Sequence, residues 1–468
     1  MRILTSVPRS RRRRPRAFLL SVVGALLIPA LVSTTAAIGS ANAAANPSAD
    51  AKPARHAYPV LTDCQGGSGY CFTPADPDLA AGPSELIETV NCAIATYSKT
   101  GTQLAVTDLR TLVGIPITAG CFDPRVIYIP WSGRFAISFG DNVSAGYPMH
   151  FAVSTTNNPG LTPAAWHSYA TPATADGFDQ PKIQATKNTL IVSGNSDTYE
   201  QYYVYQLNPV LNGNASPAMT ALTSPYDEAL PSVNTTAPTR GYFVSITGAG
   251  AELTEITGQP NLGNVALTNY ALGTGGIAQP PQAPIPGGFL DTIDSRPTSA
   301  AYEVETGDGK PVLEFSGNTA CGADACAYDV KLDLTTPTAP VVLKNTTVGR
   351  AGYGYAFGSV TLDAAGNAYL PYSRTDAANT PSAAVAATNA AGTVLFDSVI
   401  TADAAGSSAC GSGDTAPCTE RWGDYFGGSQ DPTDPTKVWV IAADQAGNGG
   451  FSWATSIAEV STAGIVAS

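Results

Sequence analysis

Acidic and basic residues recur in a narrow pattern along this chain. Asp78, Asp123, Asp179, Glu228, Asp294 and Asp424 each stand near the head of a short apolar run. Several have a base close by: Arg125 after Asp123, Lys182 after Asp179, Arg296 after Asp294, and Arg421 just before Asp424. On an extended strand residues i and i+2 project to one side, so Asp123/Arg125 and Asp294/Arg296 can share a face. Paired carboxylates are what hydrolysis of a glycosidic bond needs, one as acid and the other as base or nucleophile. Asp179 and Asp424 are the candidates for those roles. Asp123, Arg125, Lys182, Asp294, Arg296 and Arg421 would hold a substrate, and Trp422 or Tyr425 offers a flat surface for a sugar ring. No cofactor is required by this chemistry. The same acids suit a hard cation such as Ca²⁺, although no D-x-D-x-D-G loop occurs. No G-x-S-x-G elbow occurs either, and His56, His150 and His167 lack evident Ser and Asp partners. The opposing reading is structural: acid–base pairs between neighbouring strands also fix register, and "RWGDY" (421–425) would then only cap the last repeat.

The elements that must position these residues repeat. An anchor, a β-run, a Gly or Asn turn and a second apolar strand occur in "CFDPRVIYIPWSGRFAISFGD" (121–141) and "GFDQPKIQATKNTLIVSGNSD" (177–197). Looser copies lie at 226–248, 293–318 and 355–376, the last at 421–444, and a divergent first copy at 76–104. From the copy at 121 onward the anchors fall 49 to 67 residues apart, a spacing that suits multi-stranded propeller blades. Third strands follow at 149–155, 201–208, 326–334 and 382–389, and fourth strands at 265–272, 340–344 and 394–400. Four antiparallel strands in each of seven copies predict an all-β fold, a seven-bladed β-propeller. Helix periodicity is nearly absent. The last copy runs short of a strand, so "HAYPVLT" (56–62) is expected to supply the outer strand of the last blade and cover its edge.

The first 43 residues read as a signal peptide: seven arginines, an apolar stretch at 17–32, and "Ala41-Asn42-Ala43" before the cut. A disordered Ala/Pro leader is expected over 44–55, and a single propeller domain over 56–468. The chain is thus expected to be secreted and extracellular, without membrane insertion. Beyond the signal peptide stand 37 acids against 17 bases, a net charge of −20 that repels nucleic acid. A monomer is expected. All eight cysteines lie in the exported part, and an even count in an oxidising compartment reads as disulfides. Their clustering predicts Cys64–Cys71, Cys92–Cys121, Cys321–Cys326 and Cys410–Cys418. Zinc spacing is absent.

The segments "FDPRVIY…GRFAISF", "FDQPKI…LIVSGN", "VTLDAAGNAYLPYSRT" and "RWGDYFGGSQDPTDPTKVWV" resemble exported bacterial proteins with a sialidase-like, seven-bladed propeller, over about 76–460. That resemblance implies the fold. It does not imply sialidase activity, because no Ser-x-Asp-x-Gly-x-Thr-Trp box stands here. Two functions remain open: a glycan-active hydrolase, and a non-catalytic extracellular binding or adhesion propeller.

Overall fold

A computed structural model describes residues 58–62, 73–196, 198–226, 230–401, 416–445 and 452–466. The expected signal peptide and leader, Glu228, Cys64, Cys71 and Cys410 lie outside the described residues.

Strands dominate, and the helices among the described residues are single turns such as Leu109–Val113 and Leu207–Leu211. Among the described residues most strands group into seven four-stranded units, each strand pairing antiparallel with its neighbour. Unit 1 comprises Asp78–Ala81, Glu85–Val90, Ala93–Ser98 and Gln103–Asp108. Unit 2 comprises Phe122–Ile129, Arg134–Gly140, Met149–Ser154 and Trp166–Ala170. Unit 3 comprises Asp179–Ala185, Thr189–Asn195, Glu200–Gln206 and Met219–Ser224. Unit 4 comprises Leu230–Asn234, Gly241–Thr247, Gly250–Thr257 and Ala266–Ala271. Unit 5 comprises Pro297–Val304, Pro311–Cys321, Asp324–Asp333 and Val341–Val348. Unit 6 opens on a split strand, Gly354–Ala356 and Thr361–Leu362, and continues with Ala368–Thr375, Ser382–Thr388 and Val394–Val399. Unit 7 comprises Gly427–Gln430, Val438–Gln445 and Trp453–Ser461. Its fourth strand is Tyr58–Thr62, with Tyr58 opposite Ile457 and Thr62 opposite Ala454. The N-terminal segment thus covers the edge that the sequence left bare.

In units 1 to 6 the fourth strand is the least buried. Arg134–Gly140 and Ser382–Thr388 are buried almost throughout, whereas Val341–Val348 alternates between exposed and covered positions. That alternation belongs to a sheet edge with one face on solvent. The first strands pack in chain order, unit 1 on unit 2, on through unit 6 to unit 7, and unit 7 back on unit 1. Between units 4 and 5 the contact becomes a true pairing, Ser232–Asn234 running parallel to Ala300–Tyr302. One small cavity of about 30 Å³ touches all seven first strands or the residues beside them, among them Asp78, Ile127, Ile183, Pro231, Ala300, Val360 and Gly427.

The seam between units 7 and 1 has polar fastenings. The Thr455 hydroxyl donates to the buried Glu88 carboxyl. Lys99 pairs with Asp431 at 2.8 Å, and Trp439 Nε1 donates to the same carboxylate at 2.9 Å. Burial alone would raise the Asp431 pKa, but bonds from Lys99, Thr433 and Trp439 outweigh it and hold it at about 2.

One element was not foreseen. Ala283–Ile285 and Gly288–Asp291 form a hairpin, and Cys418–Arg421 joins it in parallel, with Asp291 opposite Arg421. This small sheet sets the entry into "RWGDY".

Among the described residues the cysteines depart from the expected pairing at Cys92 and Cys121. Cys321 and Cys326 are joined across a hairpin, and Cys418 is disulfide-bonded. Cys92 and Cys121 are both buried thiols instead of the expected bridge. The Cys92 sulfur is turned to the Cys121 carbonyl oxygen, 2.6 Å away, and bonds there. Among the described residues no helix is long and apolar enough to cross a membrane.

Candidate functional site

Asp76, Asp123 and Asp424, from three segments far apart in sequence, bring carboxylate oxygens within 4.8 Å of one another. The backbone places them. Asp76, Asp123 and Gln180 each precede a proline and each takes a left-handed conformation, at φ 47°, 49° and 46°. Non-glycine residues rarely adopt it, and it costs of order 1–3 kcal/mol each. In units 2 and 3 the pairing register shifts at the same place, between Phe122 and Arg125 and between Asp179 and Lys182. Such bulges re-aim a side chain at the end of a strand. Aligned on the proline, Asp76, Asp123 and Gln180 are equivalent, and so are Asp78, Arg125 and Lys182.

Hydrogen bonds lock the cluster. Asn91 Nδ2 donates to Asp76 Oδ2 at 2.7 Å, and its Oδ1 accepts from the Asp123 amide at 2.8 Å. The Asp424 amide donates to Asp76 Oδ1 at 2.8 Å. The Gln180 amide donates to Asp123 Oδ2 at 3.2 Å and to Asp179 Oδ1 at 3.1 Å, which sets the Asp179 carboxyl beside Asp123. The one guanidinium paired within the group belongs to Arg421, bonded to Asp424 and to the Gly423 carbonyl at 2.8 Å.

The electrostatics follow from burial and like charge. Asp76 is 1 % exposed and Asp123 is 6 % exposed. Burial first, then the neighbouring Asp424, push Asp76 up to about 7. Burial, followed by Asp179, Asp76 and Asp424, pushes Asp123 well above the usual carboxylate range. Crowded carboxyls that cannot all ionise share protons. Asp123 is thus the acid of the group on which burial and like charge press together, and Asp179 beside it is exposed to solvent.

The structure brings together three of the sequence-predicted residues, Asp123, Asp179 and Asp424, with Arg421 among them. Asp294 and Arg296 stand next to this group. They bond each other at 2.6 and 2.9 Å, and the strand leading to Asp294 pairs with the one ending at Arg421. Burial works against the Asp294 charge, but the Arg296 bonds, with Arg421 beyond, hold it below its ordinary range.

The remaining candidates have other duties. Lys182 is fully buried and pairs with Glu200 at 3.0 Å, so it cannot meet a substrate. Arg125 lies over the Tyr425 ring, 3.2 Å from its centroid, and Tyr425 Oη donates to the Pro124 carbonyl at 2.7 Å. Together they form a floor beneath the acids. Trp422 and Tyr425 are each 1 % exposed, and Trp422 Nε1 donates to Ser373 Oγ at 2.9 Å, so neither is a sugar platform. Asp78 lines the small cavity among the first strands and accepts from the Val126 amide at 3.0 Å. Sequence reasoning missed Asp76 and Asn91. The signal for Asp76 was the proline after it, shared with Asp123-Pro124.

No known family matches the chain, and no curated protein matches its sequence. Solved structures similar to it include an α-L-arabinofuranosidase from Fusarium graminearum, at 9 % identity over 87 % of this chain and 99 % of that one, TM-score 0.41. A second is a quinonprotein alcohol dehydrogenase-like protein from Bacteroides thetaiotaomicron, at 9 % identity over 73 % and 70 %, TM-score 0.40. A third is an exo-β-1,3-galactanase from Clostridium thermocellum, at 10 % identity over 87 % and 92 %, TM-score 0.36. Likeness at this level assigns neither activity nor ligand.

Proposed function

We propose that the chain is a secreted seven-bladed β-propeller that hydrolyses glycans at the acidic mouth of its axis. The propeller reading is supported by seven four-stranded units whose first strands pack in a cycle around one small cavity. Export is supported by the N-terminal sequence alone. The observation that carries the reaction is the convergence of Asp76, Asp123, Asp179 and Asp424 with one paired guanidinium among them. Asp76, Asp123 and Asp424 crowd more closely than the roughly 5–5.5 Å between two independently acting carboxyls. Asp76 and Asp123, the two buried members, serve as a proton store, and Asp179 is its solvent-facing end. In the reaction Asp179 gives a proton to the glycosidic oxygen, which leaves as an alcohol as the bond to the anomeric carbon breaks. Asp424 takes a proton from the water that adds to that carbon, and the proton store restores Asp179.

The test is release of reducing sugar from a panel of polysaccharides by the purified protein and by Asp179→Asn and Asp424→Asn. Loss of general acid–base catalysis lowers the rate by roughly 10²–10⁴-fold, with Tm shifted by no more than a few degrees. Full activity per folded molecule in both variants would falsify the catalytic assignment. Binding without turnover by the unaltered protein would select the non-catalytic propeller.

A second reading rests on the 4.8 Å grouping itself, which suits a divalent cation such as Ca²⁺. A rise in Tm on adding calcium, absent in Asp123→Asn, would select it.

A further inference from the structure

Beside the acid group lies a second hollow, a cavity of about 340 Å³ between units 4 and 5. That falls in the range of roughly 300–1,000 Å³ typical of small-molecule sites. Its walls come from three places: Ile246 to Gly248 at a hairpin turn, Gly276 to Gln279 in the connection between units, and Asp294 to Arg296 at the head of unit 5. Asp294, Ser295, Arg296, Thr247 and Gln279 supply polar groups, and Ile246 and Ile277 an apolar patch. A sugar ring has the same two-sided character, with hydroxyls at its rim and C–H bonds on its faces.

Two exposed glycines, Gly248 and Gly276, stand in the wall of the hollow. Neither Gly248 nor Gly276 takes a positive φ, and a Cβ on either would meet no atom within 4 Å. Neither backbone shape nor close packing therefore requires glycine there. A large side chain at either position therefore fits without clash at a residue of the cavity wall. The cavity is also placed to continue the acidic mouth, because Asp294 follows the strand that pairs with Cys418–Arg421, and Arg421 holds Asp424.

We infer that this cavity is a subsite for a neutral sugar unit of the chain whose glycosidic bond lies at the acid group. The inference rests on the proposed glycan reaction and adds where the rest of the substrate lies. The Asp294–Arg296 pair presents an acceptor and a donor side by side, matched to adjacent hydroxyls. Its charges cancel, so an acidic sugar gains nothing there over a neutral one.

The test uses tryptophan to fill the cavity. Gly248→Trp and Gly276→Trp are made in the full chain, with Gly307→Trp as a control. Gly307 is exposed, also has open space around its Cβ, and lies on the Thr306–Gly309 turn outside the cavity. Dissociation constants are measured by calorimetry in the Asp179→Asn background. The probes are neutral galacto-, arabino-, xylo- and gluco-oligosaccharides of one to five units, and uronic-acid oligomers of the same lengths. The expected result is that affinity rises with length for a neutral series, that both cavity variants reduce that rise about tenfold or more, and that Gly307→Trp keeps it. An unchanged length dependence in the cavity variants would overturn the subsite while leaving the catalytic reading intact. Stronger binding of the uronic-acid series would overturn its neutral character. Should Asp179→Asn retain full turnover, the catalytic reading falls, and the subsite is still decided by the dissociation constants.

Discussion

Glu88 offers a test of how this fold treats its buried acids. It is fully buried in the second strand of unit 1, and its Oε2 finds no partner among the described residues. Burial raises its pKa from 4.5 to about 8, with bonds from Thr455 and Tyr97 pulling back part of the rise. The folded value lies above the unfolded one. The contribution of Glu88 is therefore whole below about pH 4.5 and is lost as pH rises through about 8. One pKa unit is worth about 1.36 kcal/mol. At pH 7 the unfolded chain gains from ionising this group while the folded chain keeps it protonated, a cost of about 3 kcal/mol. Glu88→Gln has no such cost at any pH. Urea unfolding of both proteins at pH 5, 6, 7 and 8 should show the variant gaining on the parent as pH rises, by about 3 kcal/mol in all. A stability difference independent of pH, or one moving the other way, would refute the reasoning.

Deleting residues 44–62 should lower Tm by several degrees more than deleting 44–54, because only the longer deletion removes the strand paired to Trp453–Ser461. Equal melting temperatures by calorimetry would show that the pairing adds nothing. Tyr425→Phe should cost about 1–3 kcal/mol in urea unfolding, since it strips the buried Pro124 carbonyl of its donor and leaves the ring under Arg125. A cost below about 0.5 kcal/mol would mean that this hydroxyl does not hold the floor of the mouth.

The strands were legible because their apolar runs are long and separated by turn residues. Met149–Ser154, Asp324–Asp333 and Ser382–Thr388 lie within a residue or two of their expected places. The closing strand was legible from an absence, the missing fourth strand of unit 7. The site was legible in outline only. Matching the copies on their acids equated Asp78 with Asp123, but the backbone repeats on the proline, so Asp76 is the true counterpart. Lys182 looked available because its partner Glu200 sits on another strand, beyond any local spacing rule. Trp422 and Tyr425 show why aromatic residues mislead: a ring suits a sugar platform or a core equally well, and only tertiary packing decides. The sheet around Gly288–Asp291 left no trace because its strands are too short to carry a period.

The pairing of Tyr58 with Ile457 also orders events during biosynthesis. The closing strand is synthesised ahead of its partner, which follows six whole units in the chain. Until Trp453–Ser461 emerges, the early strand has no mate and Val438–Gln445 presents an open ladder of backbone groups. The entropy of joining such distant segments grows only slowly with the chain between them, but the wait is imposed by sequence order, and non-local pairings form late. A chain stopped short of residue 453 would carry two unsatisfied edges at once, a template for joining other chains. Pairing of the two segments covers both edges at once, so a single contact between distant parts of the chain removes two aggregation templates.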